Sequence, residues 1–161
     1  MQSAIGRGTT FQVYLPACET PNSVPASDEN TPALPGRNEA VLIVEDEESV
    51  RAATITALRR HGYRTYSAVD GSDALRQWET LRGEVDLLFT DMVMPGELSG
   101  HDLALRLRAA KPKLKVIISS GYSQEATQRG FDPASNIALL RKPFDMAKLL
   151  QSVRQSLDAP S

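Results

Sequence analysis

An uninterrupted apolar run, Ala40-Val41-Leu42-Ile43-Val44, stops abruptly at four acids, Glu45-Asp46-Glu47-Glu48. Five successive apolar residues with no polar alternation suit a central parallel strand that is covered on both faces. The pattern recurs along the chain. Val85-Asp86-Leu87-Leu88-Phe89-Thr90 ends at Asp91, Lys115-Val116-Ile117-Ile118-Ser119 forms a fourth strand, and Ile137-Ala138-Leu139-Leu140 a fifth. Tyr63 to Ala68 alternates as a half-buried strand does. Amphipathic segments fill the intervals. Ser49 to His61 reads as a helix stopped by Gly62, and Asp70 to Leu81 as a second. Leu103, Leu105, Leu107 and Ala110 mark a third after the Pro95-Gly96 turn, and Ser123 to Arg129 a short fourth. Asp145 caps a last helix carrying Met146, Leu149, Leu150, Val153 and Leu157. Strict β-α alternation predicts a doubly wound α/β domain, a five-stranded parallel sheet with helices on both faces, over residues 39–159.

Upstream, Pro16, Pro21, Pro25, Pro32 and Pro35 stand among Ser, Thr, Asn, Asp and Glu. Such a segment buries too little apolar surface to offset its ordering entropy, so residues 17–38 read as a flexible linker and residues 1–16 as a separate piece. The single cysteine, Cys18, falls in that linker and reads as an exposed thiol without a role. One Cys and two His exclude an internal disulfide framework and the usual Cys/His zinc site. A net charge of -2 with no basic stripe predicts no nucleic-acid partner. No apolar run approaches the ~20 residues of a membrane span and the start lacks a signal-peptide layout, so the chain reads as cytoplasmic, without membrane contact of its own.

In doubly wound sheets, ligands bind beyond the carboxyl ends of the strands. There the sequence places Glu45 and Asp46 after the first strand, Asp91 after the third, Ser119 after the fourth and Lys142 after the fifth. Two like charges about 4 Å apart cost roughly 4 kcal/mol at an effective dielectric of 20, so three crowded carboxylates call for a cation. Oxygen donors with no imidazole or thiolate suit a hard divalent ion, and Mg²⁺ fits best. Asp46 and Asp91 would hold it directly, Glu45 through a water, and the backbone carbonyl of Val93 would complete the shell. Asp91, at the abrupt end of its strand, is the candidate nucleophile toward phosphorus. Lys142 would then pair with the phosphoryl group and Ser119 donate a hydrogen bond to it, drawing their loops inward. Singly, each residue has an ordinary explanation: Asp46 could cap the following helix, Lys142-Pro143 could be a turn, and Ser119 a polar strand end. Their joint arrival on one edge favours the site.

Val41-Leu42-Ile43-Val44-Glu45-Asp46, Thr90-Asp91-Met92-Val93-Met94-Pro95-Gly96, Ser119 and Lys142-Pro143-Phe144 together resemble the receiver domain of two-component response regulators. The resemblance implies a flavodoxin-like sheet of order 2-1-3-4-5 and Mg²⁺-dependent transfer of a phosphoryl group to Asp91 from a partner's phosphohistidine. That partner would be the dimerisation domain of a histidine kinase or a histidine phosphotransfer protein. It also implies a cis proline at Pro143 and a readout through the last two strands and the helices after them. A homodimer through that face is compatible with the sequence. Leu139 stands where many members carry an aromatic switch residue, so burial of a ring is not the coupling expected here; Tyr122 reads equally as a partial substitute or as an ordinary surface aromatic on its loop. Gly6-Arg7-Gly8-Thr9-Thr10-Phe11-Gln12-Val13-Tyr14-Leu15-Pro16 resembles the last strand motif of the ATP-binding domain of sensor histidine kinases. The order of the pieces is that of a hybrid sensor kinase, so the chain reads as the carboxyl-terminal part of one, from a parent that can carry a membrane anchor. Its Gly8-to-Leu15 strand, parted from its sheet, is expected to be disordered or to pair with another edge.

Two rivals share the chemistry or the fold. A Mg²⁺-dependent phosphohydrolase working through an aspartyl-phosphate would place a second Asp two residues after the nucleophile, where Val93 stands. A flavin binder would cradle a phosphate after the first strand, where Glu45 to Glu48 repel one. Neither His61, before Gly62, nor His101, after Gly100, sits in the helical context of a phosphodonor.

Overall fold

The computed structural model describes residues 2–4, 6, 8–10, 12–14, 35–81, 83–121 and 137–160. The chain divides into two units, Met1–Thr31 and Pro32–Ser161. In the first, strands β1 (Gln2–Ala4) and β2 (Gly8–Thr10) pair antiparallel, Gln2 opposite Thr10 and Ala4 opposite Gly8. Gly6 between them has φ +75°, a left-handed value that glycine adopts without strain in a tight turn. The strand expected to lack a sheet therefore finds a local partner. Val13 and Tyr14 beyond it are 78% and 87% exposed, so this hairpin brings no core of its own to them.

The second unit carries β3 (Ala40–Val44), α1 (Glu48–Arg60), β4 (Arg64–Ala68), α2 (Gly71–Leu81), β5 (Leu87–Asp91), α3 (Gly100–Ala110), β6 (Lys115–Ser120), β7 (Ile137–Arg141) and α4 (Met146–Asp158). Its five strands form one sheet in the order β4-β3-β5-β6-β7, every pair parallel. That is the doubly wound order 2-1-3-4-5 counted within the unit. The helix expected over Ser123 to Arg129, and Tyr122, lie outside the described residues.

Alternation along the strands sorts the core into two layers. Leu42, Val44, Leu88, Val116 and Ile118 face Ala74 of α2 and Leu103, Ala104 and Leu107 of α3, with Trp78 packed at the margin. Val41, Ile43, Leu87, Phe89 and Ile117 face Leu58 of α1 and Leu149, Leu150 and Val153 of α4. All five residues of β3 are buried, as a strand with helices on both sides requires. Each fully buried Val, Leu or Ile contributes about 1.5–3 kcal/mol, so the centre of the sheet is where the fold is most strongly specified.

Departures from the expected elements have local causes. Val85 and Asp86 precede β5, yet Asp86 is tied to both neighbouring strands: its amide donates to the Ala40 carbonyl at 2.8 Å, its carbonyl accepts from the Lys115 amide at 3.1 Å, and its carboxylate accepts the Ala40 amide at 2.8 Å. Leu105 is half exposed, since α3 buries the Leu103, Ala104 and Leu107 stripe. Ser99 and Asp102 form a reciprocal capping box at the start of α3, and Asp145 caps α4 as expected by accepting from the Lys148 amide at 2.7 Å. Asp46 does not cap α1; the N-cap position is Glu47, with no side-chain cap bond. Among the described residues no helix is long and apolar enough to cross a membrane.

Candidate functional site

Parallel strands bring every carboxyl terminus to one edge, and the register sets which residues meet there. Val44 pairs with Thr90, Asp91 with Ser119, and Ser120 with Arg141, so the residues after β3, β5 and β7 converge within one ladder step. Glu45, Asp46 and Asp91 each present a carboxylate oxygen, and these atoms lie within 4.8 Å of one another. Donors about 2.1 Å from a Mg²⁺ ion lie up to ~4.2 Å apart across it, so the cluster fits a small hard cation with slight closure. Val93 follows in the loop with its side chain exposed.

Lys142, from the loop after β7, bridges the acids: Nζ donates to Asp91 Oδ2 at 2.8 Å and to Glu45 Oε2 at 3.4 Å. The Lys142-Pro143 peptide is cis, as the resemblance implies. Burial alone would lower the Lys142 ammonium, but its bond to Asp91 and the charges of Asp91 and Glu45 outweigh that and raise it. Burial also pushes the Glu45 carboxyl above its ordinary range; Lys142 opposes the shift and the Asp91 charge adds to it. One ammonium does not neutralise three carboxylates.

Ser119 is fully buried, and its hydroxyl donates to the Thr90 carbonyl at 3.4 Å rather than to Asp91. Leu139 lies on β7, 39% exposed. The structure thus brings together Glu45, Asp46, Asp91 and Lys142, sets Ser119 beside Asp91 with its hydroxyl bonded elsewhere, and leaves Leu139 partly in solvent.

Three residues that the sequence reading passed over shape the site. Thr90 is buried and its hydroxyl donates to the Asp91 carbonyl at 3.1 Å. Gly100, the first residue of α3, lies so close that a Cβ there would sit 1.9 Å from that same carbonyl oxygen, and its amide donates to the Met92 carbonyl at 3.1 Å. Only glycine lets the helix start against the backbone of Asp91. Arg51 of α1 donates to the carbonyls of Glu45 and Asp46. Gly100 carries a signal in hindsight, as a glycine inside a helix start where Ala is the better former; Thr90 carries none.

The description of a response regulator receiver domain matches residues 41–154, and the chain belongs to that family. Among curated proteins it is 36% identical to the sensor kinase CckA of Brucella abortus (strain 2308) over 97% of this chain and 17% of that protein. The chain therefore spans about a sixth of that relative's length. It is 32% identical to the response regulator receiver protein CpdR of the same organism, over 74% of this chain and 97% of CpdR. A crystal structure of the receiver domain from the hybrid histidine kinase CckA superposes with a TM-score of 0.62 at 34% identity, covering 74% of this chain and 99% of that one.

Proposed function

We propose that this chain is a phosphoacceptor: Asp91 takes a phosphoryl group from a phosphohistidine in a Mg²⁺-dependent reaction. The observation that carries the reading is Lys142 bridging Asp91 and Glu45 inside a cluster of three carboxylates that it leaves under-compensated. Asp46 and Asp91, with Glu45 through a water and the Val93 carbonyl, would hold the ion. When bound, Mg²⁺ neutralises the incoming phosphoryl oxygens and orients them in line. An Asp91 carboxylate oxygen forms the new O–P bond while the N–P bond to the donor imidazole breaks, and the imidazole leaves with the electron pair and takes up a proton. Lys142 then trades its contact with the carboxylate for one with the phosphoryl group. Ser119 leaves the Thr90 carbonyl and donates to that group, which moves β6 and β7 relative to α4 and converts a local charge into a changed surface.

The named relatives support a place in a relay. One is a sensor kinase, and another, 27% identical over 77% of this chain, is the sporulation initiation phosphotransferase F of Bacillus subtilis. The partner is the phosphohistidine-bearing domain of a kinase or a phosphotransfer protein, and the setting is cytoplasmic. Residues 1–16 are the end of a kinase ATP-binding domain, 17–38 a linker, and the parent a hybrid sensor kinase.

Intact-mass measurement after incubation with acetyl phosphate tests the reading. One adduct is expected that needs Mg²⁺, is labile to hydroxylamine and is absent from Asp91→Asn. An adduct that survives in Asp91→Asn, or steady turnover of small phosphate esters, overturns it in favour of another acceptor or the phosphohydrolase.

A further inference from the structure

A cation near the amino terminus of a helix opposes the helix dipole, and Arg51 is the fourth residue of α1. Its contacts explain the placement. Nη1 donates to the Glu45 carbonyl at 2.6 Å and to the Asp46 carbonyl at 3.2 Å, while the Arg51 amide donates to the Glu47 carbonyl at 2.9 Å. Three successive carbonyls of the turn between β3 and α1 therefore end on one residue. Elsewhere in the turn the Glu45 amide donates to the Ala68 carbonyl at 3.3 Å, the Ser49 hydroxyl to the Glu47 carboxylate at 2.6 Å, and the Glu47 amide to the Glu45 carboxylate. None of these bonds reaches Asp46.

We propose that Arg51 is a positioning residue for the carboxylates of Glu45 and Asp46; the inference rests on the Mg²⁺ reading above. Like charges this close repel, so an untethered turn swings Asp46 outward and must be gathered again when an ion arrives. Arg51 holds the peptides in the gathered arrangement beforehand. It does so through carbonyl oxygens and not by pairing with the carboxylates, so their charge stays available to the metal. Partners that orient metal ligands in this way typically change affinity by about 10–100-fold when removed.

The sign of the effect separates positioning from simple charge. Removing a cation near three acids tightens Mg²⁺ binding if Arg51 acts only through its field, and weakens it if Arg51 orders the turn. Mg²⁺ is titrated calorimetrically into the full chain, and into Arg51→Gln and Arg51→Lys, with thermal midpoints measured in metal-free buffer. Arg51→Gln is expected to bind Mg²⁺ about tenfold more weakly. Arg51→Lys keeps the charge and a nitrogen able to donate twice, but its stem ends short of the position of Nη1, and it should recover only part of the loss. If Arg51→Gln does not fold, a smaller weakening in Arg51→Lys carries the test. Unchanged or tighter binding by either folded variant overturns the inference alone, whereas a wild-type chain that binds no Mg²⁺ overturns it together with the metal site.

Discussion

Two glutamates stand at the two ends of the same strand and meet opposite surroundings. Glu39, just before β3, receives Arg154 Nη1 at 2.7 Å, and Arg154 also grips Asp158 through two bonds of 2.8 Å. Burial pushes the Glu39 carboxyl up, but the Arg154 bond and backbone donors outweigh it and hold it below its ordinary range. Burial lowers and those same partners raise the Arg154 guanidinium, with a net upward shift. Glu45, just after β3, shares one lysine with Asp91 and is pushed up. The amino edge of the sheet is charge-matched and serves stability; the carboxyl edge is left short of positive charge, as the proposed phosphoacceptor role requires.

The largest expected break in that contrast comes from Arg154→Met. It removes a buried guanidinium, leaves half-buried Glu39 without it and breaks the bonds to Asp158, and should lower the unfolding free energy by about 2–4 kcal/mol in urea titrations. A loss below about 1 kcal/mol would mean that the amino-edge cluster is merely decorative.

Glu39→Gln removes a charge-assisted bond while keeping the shape, and should lose about 1.5–3 kcal/mol at pH 7. Because the folded state holds Glu39 below its ordinary value, its contribution is complete above that value and fades as pH falls through the depressed one. The urea midpoint of the wild type should thus drop more steeply toward acid than that of Glu39→Gln, and parallel curves would contradict the pairing.

The same substitution at the other end should act with the opposite sign. Ionised Glu45 is disfavoured in the fold, so Glu45→Gln is expected to gain on the order of 1 kcal/mol in metal-free buffer at pH 7. The raised carboxyl means the wild type loses stability as pH climbs from the ordinary value to the raised one, so the gain should vanish at low pH. A loss in place of a gain would show that the Lys142 bridge already balances the carboxyl edge.

The sheet and the acids were legible from the chain alone because both are written locally. An apolar run identifies a buried strand, and the parallel rule then sends Glu45, Asp46, Asp91 and Lys142 to one edge. What stayed hidden depends on distant pairing or on backbone proximity. Arg154 and Glu39 are 115 positions apart, and an Arg on a helix reads as a solvated face until its partner is known. Arg51 was passed over for the same reason. Gly100 reads as the start of a helix; that it abuts the Asp91 carbonyl is a property of the packed helix. The Ser119 hydroxyl chooses between neighbours by rotamer, which no spacing encodes.

Residues 36–38 follow the amino edge. The Gly36 amide donates to the His61 carbonyl at 2.7 Å, the Asn38 amide to the Gly62 carbonyl at 3.2 Å, and Arg37 pairs with Asp158 at 3.5 Å. The polypeptide is thus grasped at the pole that also holds the end of α4, a strand's length of about 17 Å from the acids. Residues 36–38 and Asp91 thus sit at opposite ends of the strands, and a change at one reaches the other only along the length of the sheet.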